Sequence, residues 1–172
     1  ILLPALLALC SIAPAIANDE TPAAAAPETA TAEATAPAQA AYRMVNYKGF
    51  EFEVPYDCVA ELRGNDMIVR SAGQDFGVSL TCEPRKGCNQ KRCVRFCDDV
   101  VENMHLEHAR VKKVRLNGMS GAMANGKLAD KTVTVAVLPH GDQQITCVVI
   151  NDPKASDASD HVMRTIQPRG AE

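Results

Sequence analysis

Short runs that alternate apolar and polar residues, separated by turn signals, constrain this chain most. Successive side chains on a strand point to opposite faces, so strict alternation marks strands with one buried face. Phe50-Glu51-Phe52-Glu53-Val54 alternates apolar with acidic residues and stops at Pro55, which lacks the N–H that a sheet ladder needs. Residues 58–62 and 67–70 flank Arg63-Gly64-Asn65-Asp66, whose Gly-Asn centre suits a tight hairpin. Ser71-Ala72-Gly73 marks the next turn. Residues 76–82 then alternate again, with Val78, Leu80 and Cys82 sharing the core-facing side.

The second half repeats the pattern. Residues 111–116 and 119–124 read as strands, each followed by an Asn-Gly pair, Asn117-Gly118 and Asn125-Gly126, which are turn signals. Thr132-Val133-Thr134-Val135-Ala136-Val137 is strict alternation. Pro139-His140-Gly141-Asp142 turns the chain into residues 144–150, apolar on both faces around Cys147 and therefore expected at the centre of the sheet. Between the halves, Cys93, Cys97, Val100, Val101, Met104 and His108 fall on one stripe of a helix expected over residues 93–110. Asp152-Pro153 offers an N-cap and a first-turn proline for an amphipathic helix over residues 156–166. The fold class is therefore α+β: a largely antiparallel β-sheet with one central helix and one C-terminal helix packed on it.

Residues 1–17, ILLPALLALCSIAPAIA, form an apolar run ending in Ala15-Ile16-Ala17. Small residues at those positions suit signal peptidase, so the run reads as a signal peptide whose basic n-region is missing, cleaved before Asn18. Cys10 as a lipid-anchoring cysteine is the weaker reading, because Leu9 before it is large. Residues 18–41 contain only Ala, Pro, Thr, Glu and other small or polar residues. Such a segment cannot bury enough apolar surface to offset its ordering entropy, and it is expected to be a disordered tether. Residues 42–169 remain as a single α+β domain. Beyond residue 41 the chain carries 18 basic against 17 acidic side chains, a balance that argues against a nucleic-acid binder. No later stretch is apolar enough to form a transmembrane segment in the mature chain.

Export changes how the cysteines read. Cys58, Cys82, Cys88, Cys93, Cys97 and Cys147 remain after Cys10, and an even number in an oxidising compartment reads first as a disulfide framework of open pairing. Each bridge would add about 2–4 kcal/mol. The alternative is a thiol-redox or metal-handling site in the Cys82/Cys88/Cys93/Cys97 run. Its spacing lacks the paired knuckles of structural zinc, C-x-x-C and C-x-x-C-H, so no cofactor and no metal are expected.

The best functional surface is basic. Arg85, Lys86, Lys91, Arg92 and Arg95 lie within eleven residues that contain no acid. Packed near Lys112, Lys113 and Arg115, they would face an anionic surface or an acidic envelope protein. No aromatic residue interleaves them in the manner of a base-stacking site. His105 and His108, three apart, read as a half-buried and a surface histidine rather than metal ligands. Gly118-Met119-Ser120-Gly121 lacks the last glycine of a nucleophile elbow, and Gly121 to Lys127 lacks the hydroxyl residue of a phosphate loop.

The opening Tyr47-Lys48-Gly49-Phe50-Glu51-Phe52-Glu53-Val54-Pro55 strand, the mid-chain helix, the Val111-x-Lys113-Val114-x-Leu116-Asn117-Gly118 strand and the terminal helix after Asp152-Pro153 resemble the PsbP/Mog-like fold, with DcrB-like bacterial periplasmic proteins as the relatives in outline. The likeness spans roughly residues 46–168. It implies a non-enzymatic binding or accessory role in the bacterial envelope and supplies no catalytic residues, and the six cysteines depart from its pattern. The chain is thus expected to be periplasmic or secreted, and not an enzyme.

Overall fold

Strand order in the computed structural model puts residues 144–150 where their two apolar faces require. The structure describes residues 42–170, which belong to the unit Ala40–Glu172. The expected signal peptide, tether and Cys10 lie outside the described residues. Ten strands and two helices follow in chain order: β1 (Tyr42–Tyr47), β2 (Phe50–Pro55), β3 (Cys58–Arg63), β4 (Asp66–Ser71), β5 (Phe76–Pro84), α1 (Gln90–Asn103), β6 (Glu107–Leu116), β7 (Met119–Leu128), β8 (Lys131–His140), β9 (Gln143–Asn151), α2 (Ser156–Thr165) and β10 (Gln167–Pro168). Seven strands form one antiparallel sheet in the order β3-β4-β5-β9-β8-β7-β6, with β9 in the middle. A second sheet, β1-β2-β10, was not expected from the sequence.

The large sheet is covered on both faces. Ile145, Cys147 and Val149 of β9 join Val78, Leu80 and Cys82 of β5 in one core. Phe50, Phe52 and Val54 of the small sheet, Val162 and Met163 of α2 and Ile166 just after it complete it. Alternation sends Val133, Val135 and Val137 of β8 and Ala122 and Ala124 of β7 to the other face, where α1 packs and buries Cys93 and Cys97. Gln144 and Val148 of β9 point to this second face as well. Both are buried.

α2 is fastened to the small sheet by polar contacts. His161 Nε2 lies 2.7 Å from Glu53 Oε2, the Tyr42 ring stacks on the His161 ring at 3.6 Å, and the Glu53 N–H donates to Thr165 Oγ1 at 3.0 Å. Asn117 Nδ2 ties the β6–β7 turn to the end of α2, donating to the carbonyls of Arg164 and Ile166 at 2.8 Å each.

Four expectations are corrected. α1 ends at Asn103 instead of continuing to residue 110, because His105 adopts a left-handed conformation, φ 53°. The His105 N–H reaches the Glu102 carbonyl and the Leu106 N–H the Val101 carbonyl, the two bonds of a Schellman C-terminus. His108 consequently leaves the helical stripe and sits, also at positive φ, in a bulge at the start of β6. Asn125-Gly126 lies inside β7 and is no turn. A Cβ on Gly126 would stand 2.9 Å from the Ala109 Cβ, so this glycine admits the neighbouring strand; the turn comes later, at Ala129. Asp152 does not cap α2. It opens a short 3-10 turn, Pro153–Ala155, and its carboxylate pairs with Lys131.

Candidate functional site: the basic loop and its cysteines

Residues 85–89 link β5 to α1 and open the basic run of residues 85–95. The Arg85 N–H donates to the Asp142 carbonyl at 2.6 Å, the Cys88 N–H to the Arg85 carbonyl at 3.2 Å, and Gly87 supplies the positive φ that the turn requires. Asn89 caps the helix, its side chain accepting from the Arg92 N–H at 3.1 Å. Gln90 fixes the helix on the sheet. Its Nε2 donates to the carbonyls of Gly121 at 3.2 Å and Val114 at 3.4 Å.

The five basic residues divide into two groups. Arg85 turns inward: its Nη1 donates to Gln144 Oε1 at 3.0 Å, and its guanidinium lies 4.7 Å over the Phe96 ring. Arg92 holds the loop, its Nη1 donating to the Lys86 and Gly87 carbonyls at 3.1 Å each. Lys86, Lys91 and Arg95 are exposed and make no ion pair among the described residues. Lys113 and Arg115 flank the Val114 that Gln90 contacts and share the sheet face that α1 covers; Lys112 lies on the opposite one.

On that opposite face the structure adds a feature that the sequence reading missed. His108, Arg110 and Lys112, with Met123 and Asn125 of β7, line an open hollow of about 190 Å³. The signal was present as basic residues at every second position of one strand.

The expected disulfide framework is not supported: no two cysteines of the described residues lie at bonding distance. All six cysteines in the described residues are free thiols. The large sheet separates them: Cys58, Cys82 and Cys147 belong to the core beneath α2 and the small sheet, whereas Cys93 and Cys97 of α1 pack on the other face. The Cys82/Cys88/Cys93/Cys97 run is therefore not one cluster in space. Cys82 Sγ contacts Gln143 Oε1 at 3.5 Å on its own side. Cys88 Sγ stands 3.5 Å from Cys93 Sγ and 3.5 Å from Gln144 Oε1 on the other. Burial pushes the Cys93, Cys97 and Cys147 thiols up to about 12 and Cys58 to about 11. Buried neutral thiols of this kind are poor nucleophiles and poor metal ligands. Among the described residues no group of three His, Cys, Asp or Glu side chains is arranged to hold a metal ion.

No family model matches the chain. No curated protein matches it either. Solved structures do. The solution structure of the cyanobacterial PsbP protein CyanoP from Synechocystis sp. PCC 6803 superimposes with a TM-score of 0.56 at 13% identity, over 80% of this chain and 98% of that one. A crystal structure from Bacteroides thetaiotaomicron VPI-5482 follows, with a TM-score of 0.51 at 11% identity, over 70% of this chain but only 45% of that one. LpqN of Mycobacterium tuberculosis, described as involved in cell envelope biogenesis, reaches a TM-score of 0.45 at 14% identity, over 74% of this chain and 91% of that one, too distant to carry an argument. At such identities the likeness is one of fold: this chain folds in the PsbP-like manner.

Proposed function

We propose that this chain is an exported, non-enzymatic binding or accessory module of the bacterial envelope that holds an anionic partner through Lys86, Lys91 and Arg95. The observation that carries the reading is the placement of those charges. A helix N-terminus already bears partial positive charge, and acidic residues there are stabilising. α1 has no acid in its first turn and no base in its last; its exposed bases stand at the start and Asp98, Asp99 and Glu102 toward the end. Each misplaced charge costs roughly 0.3–1 kcal/mol of helix stability, so the arrangement serves contact with something negative better than it serves the fold.

The apolar run 1–17 supports export, and no helix of the described residues is long and apolar enough to cross a membrane. Ser120, the residue nearest in pattern to a hydrolase nucleophile, is exposed on β7 within a sheet hairpin and not on a strand-to-helix elbow. The test is triple charge reversal, Lys86→Glu with Lys91→Glu and Arg95→Glu. Sedimentation with phosphatidylglycerol vesicles and retention on immobilised polyglutamate should both fall at least about tenfold at low salt, with the melting temperature held. Retention of the parent's binding by the folded variant would reject this surface.

A further inference from the structure

We infer that Cys88 and Cys93 are a reversible disulfide pair that staples the 85–89 loop to the first turn of α1, with Cys88 as the attacking thiol and Cys93 as the resolving one. Asn89 is the N-cap, shown by its bond to the Arg92 N–H, so Cys88 occupies the position before the cap and Cys93 the fourth helical position. Those two positions are where apolar side chains meet in a hydrophobic staple. Here the meeting side chains are thiols, with the sulfurs 3.5 Å apart.

The rest of the site favours this pair over others. Arg85 and Arg92 hold the loop against Gln144 and against its own carbonyls, so Cys88 is kept beside its partner. Cys97, one turn along, is fully buried, and Cys58, Cys82 and Cys147 lie in the core on the other face of the sheet. Access is unequal within the pair. Cys88 is half-buried, whereas Cys93 is 0% exposed.

That inequality sets the order of events. The Cys88 thiolate attacks one sulfur of a small-molecule disulfide such as oxidised glutathione, releasing one thiolate and leaving a mixed disulfide on Cys88. Cys93, buried and neutral but with its sulfur already 3.5 Å from Cys88 Sγ, then gives up its proton to solvent as it attacks Cys88 Sγ and expels the second thiolate, proximity offsetting its small thiolate fraction. The two protein thiols lose two protons and two electrons, and the reagent disulfide is reduced to two thiols. The bridge does not depend on the anionic-partner reading; it stands or falls separately.

Trypsin makes the pairing readable, because cleavage at Lys86, Lys91, Arg92 and Arg95 places Cys88 in residues 87–91, Cys93 in residues 93–95 and Cys97 in residues 96–110. The full chain, reduced and then equilibrated with a glutathione redox buffer, is blocked with N-ethylmaleimide and digested without reduction. Peptide 87–91 should be linked to peptide 93–95 and released by reductant. In the fully reduced native protein, maleimide should label Cys88 at least about tenfold faster than Cys93. A Cys93→Ser variant should stop at the glutathione adduct on Cys88; should it fail to fold, the wild-type map decides alone. Maleimide on both cysteines after oxidation, or Cys93 linked to residues 96–110 or any other cysteine peptide, would overturn the pairing.

Discussion

His105 and Gly121 show how single residues set the limits of elements here, with opposite signs. His105 fills the left-handed C′ position of α1 that glycine normally takes, φ 53°. An L side chain there costs roughly 1–2 kcal/mol of backbone energy. The ring is exposed, so the strain is not offset by burial. His105→Gly should therefore stabilise the chain by about 1 kcal/mol, set against the greater entropy that glycine gives the unfolded state. Gly121 is the reverse case. A Cβ on it would fall 2.2 Å from the Val137 carbonyl oxygen and 2.9 Å from a Leu138 methyl. Backbone cannot yield as a flexible side chain would, so Gly121→Ala should cost about 3 kcal/mol or more. Urea midpoints of the two variants, measured beside the parent, check both; equal midpoints would show that neither backbone position is under constraint.

At the scale of the element, α1 is the informative piece, and it shows why part of the site was legible and part was not. Its buried stripe could be read from the 3.6-residue period, because Cys93 and Cys97 four apart must share a face. Its end could not, because a histidine stands in the glycine's place. Gly126 misled for a related reason: glycine serves tight turns and close strand approach alike, and only the neighbouring Ala109 distinguishes them. The basic cluster was visible as composition, but the inward turn of Arg85 depends on Gln144, far along the chain on β9. The surviving charges oppose the helix macrodipole. Lys91→Glu should thus stabilise the fold by about 0.5 kcal/mol while weakening vesicle binding. A gain in stability with binding intact would separate the charge pattern from function; a loss of stability would mean that Lys91 has a structural role on the helix surface.

For the whole molecule, strict alternation in residues 132–137 and the run apolar on both faces in residues 144–150 were enough to place the sheet and its central strand, since period two and a two-faced core admit little else. Which face each helix covers was not available from it, and that choice is what divides the cysteines. One consequence can be measured on the intact reduced chain. Cys93, Cys97 and Cys147 ionise only at about 12 in the fold, because burial disfavours the thiolate, against an ordinary value of 9.0. Between these values the folded chain keeps protons that the unfolded chain has released. Stability is therefore whole below pH 9 and falls as pH rises toward 12, by up to about 1.4 kcal/mol per pH unit for each such thiol. Cys147 is the cleanest reporter, being fully buried with burial as its only cause of shift. Cys147→Ala should lower stability at neutral pH through the lost sulfur contacts, yet flatten the alkaline slope by about one thiol's share. Denaturant midpoints under reductant, from about pH 8 to 10.5, give that slope. An unchanged slope would mean that the Cys147 thiol ionises within the folded core, and the central strand would then be open to water.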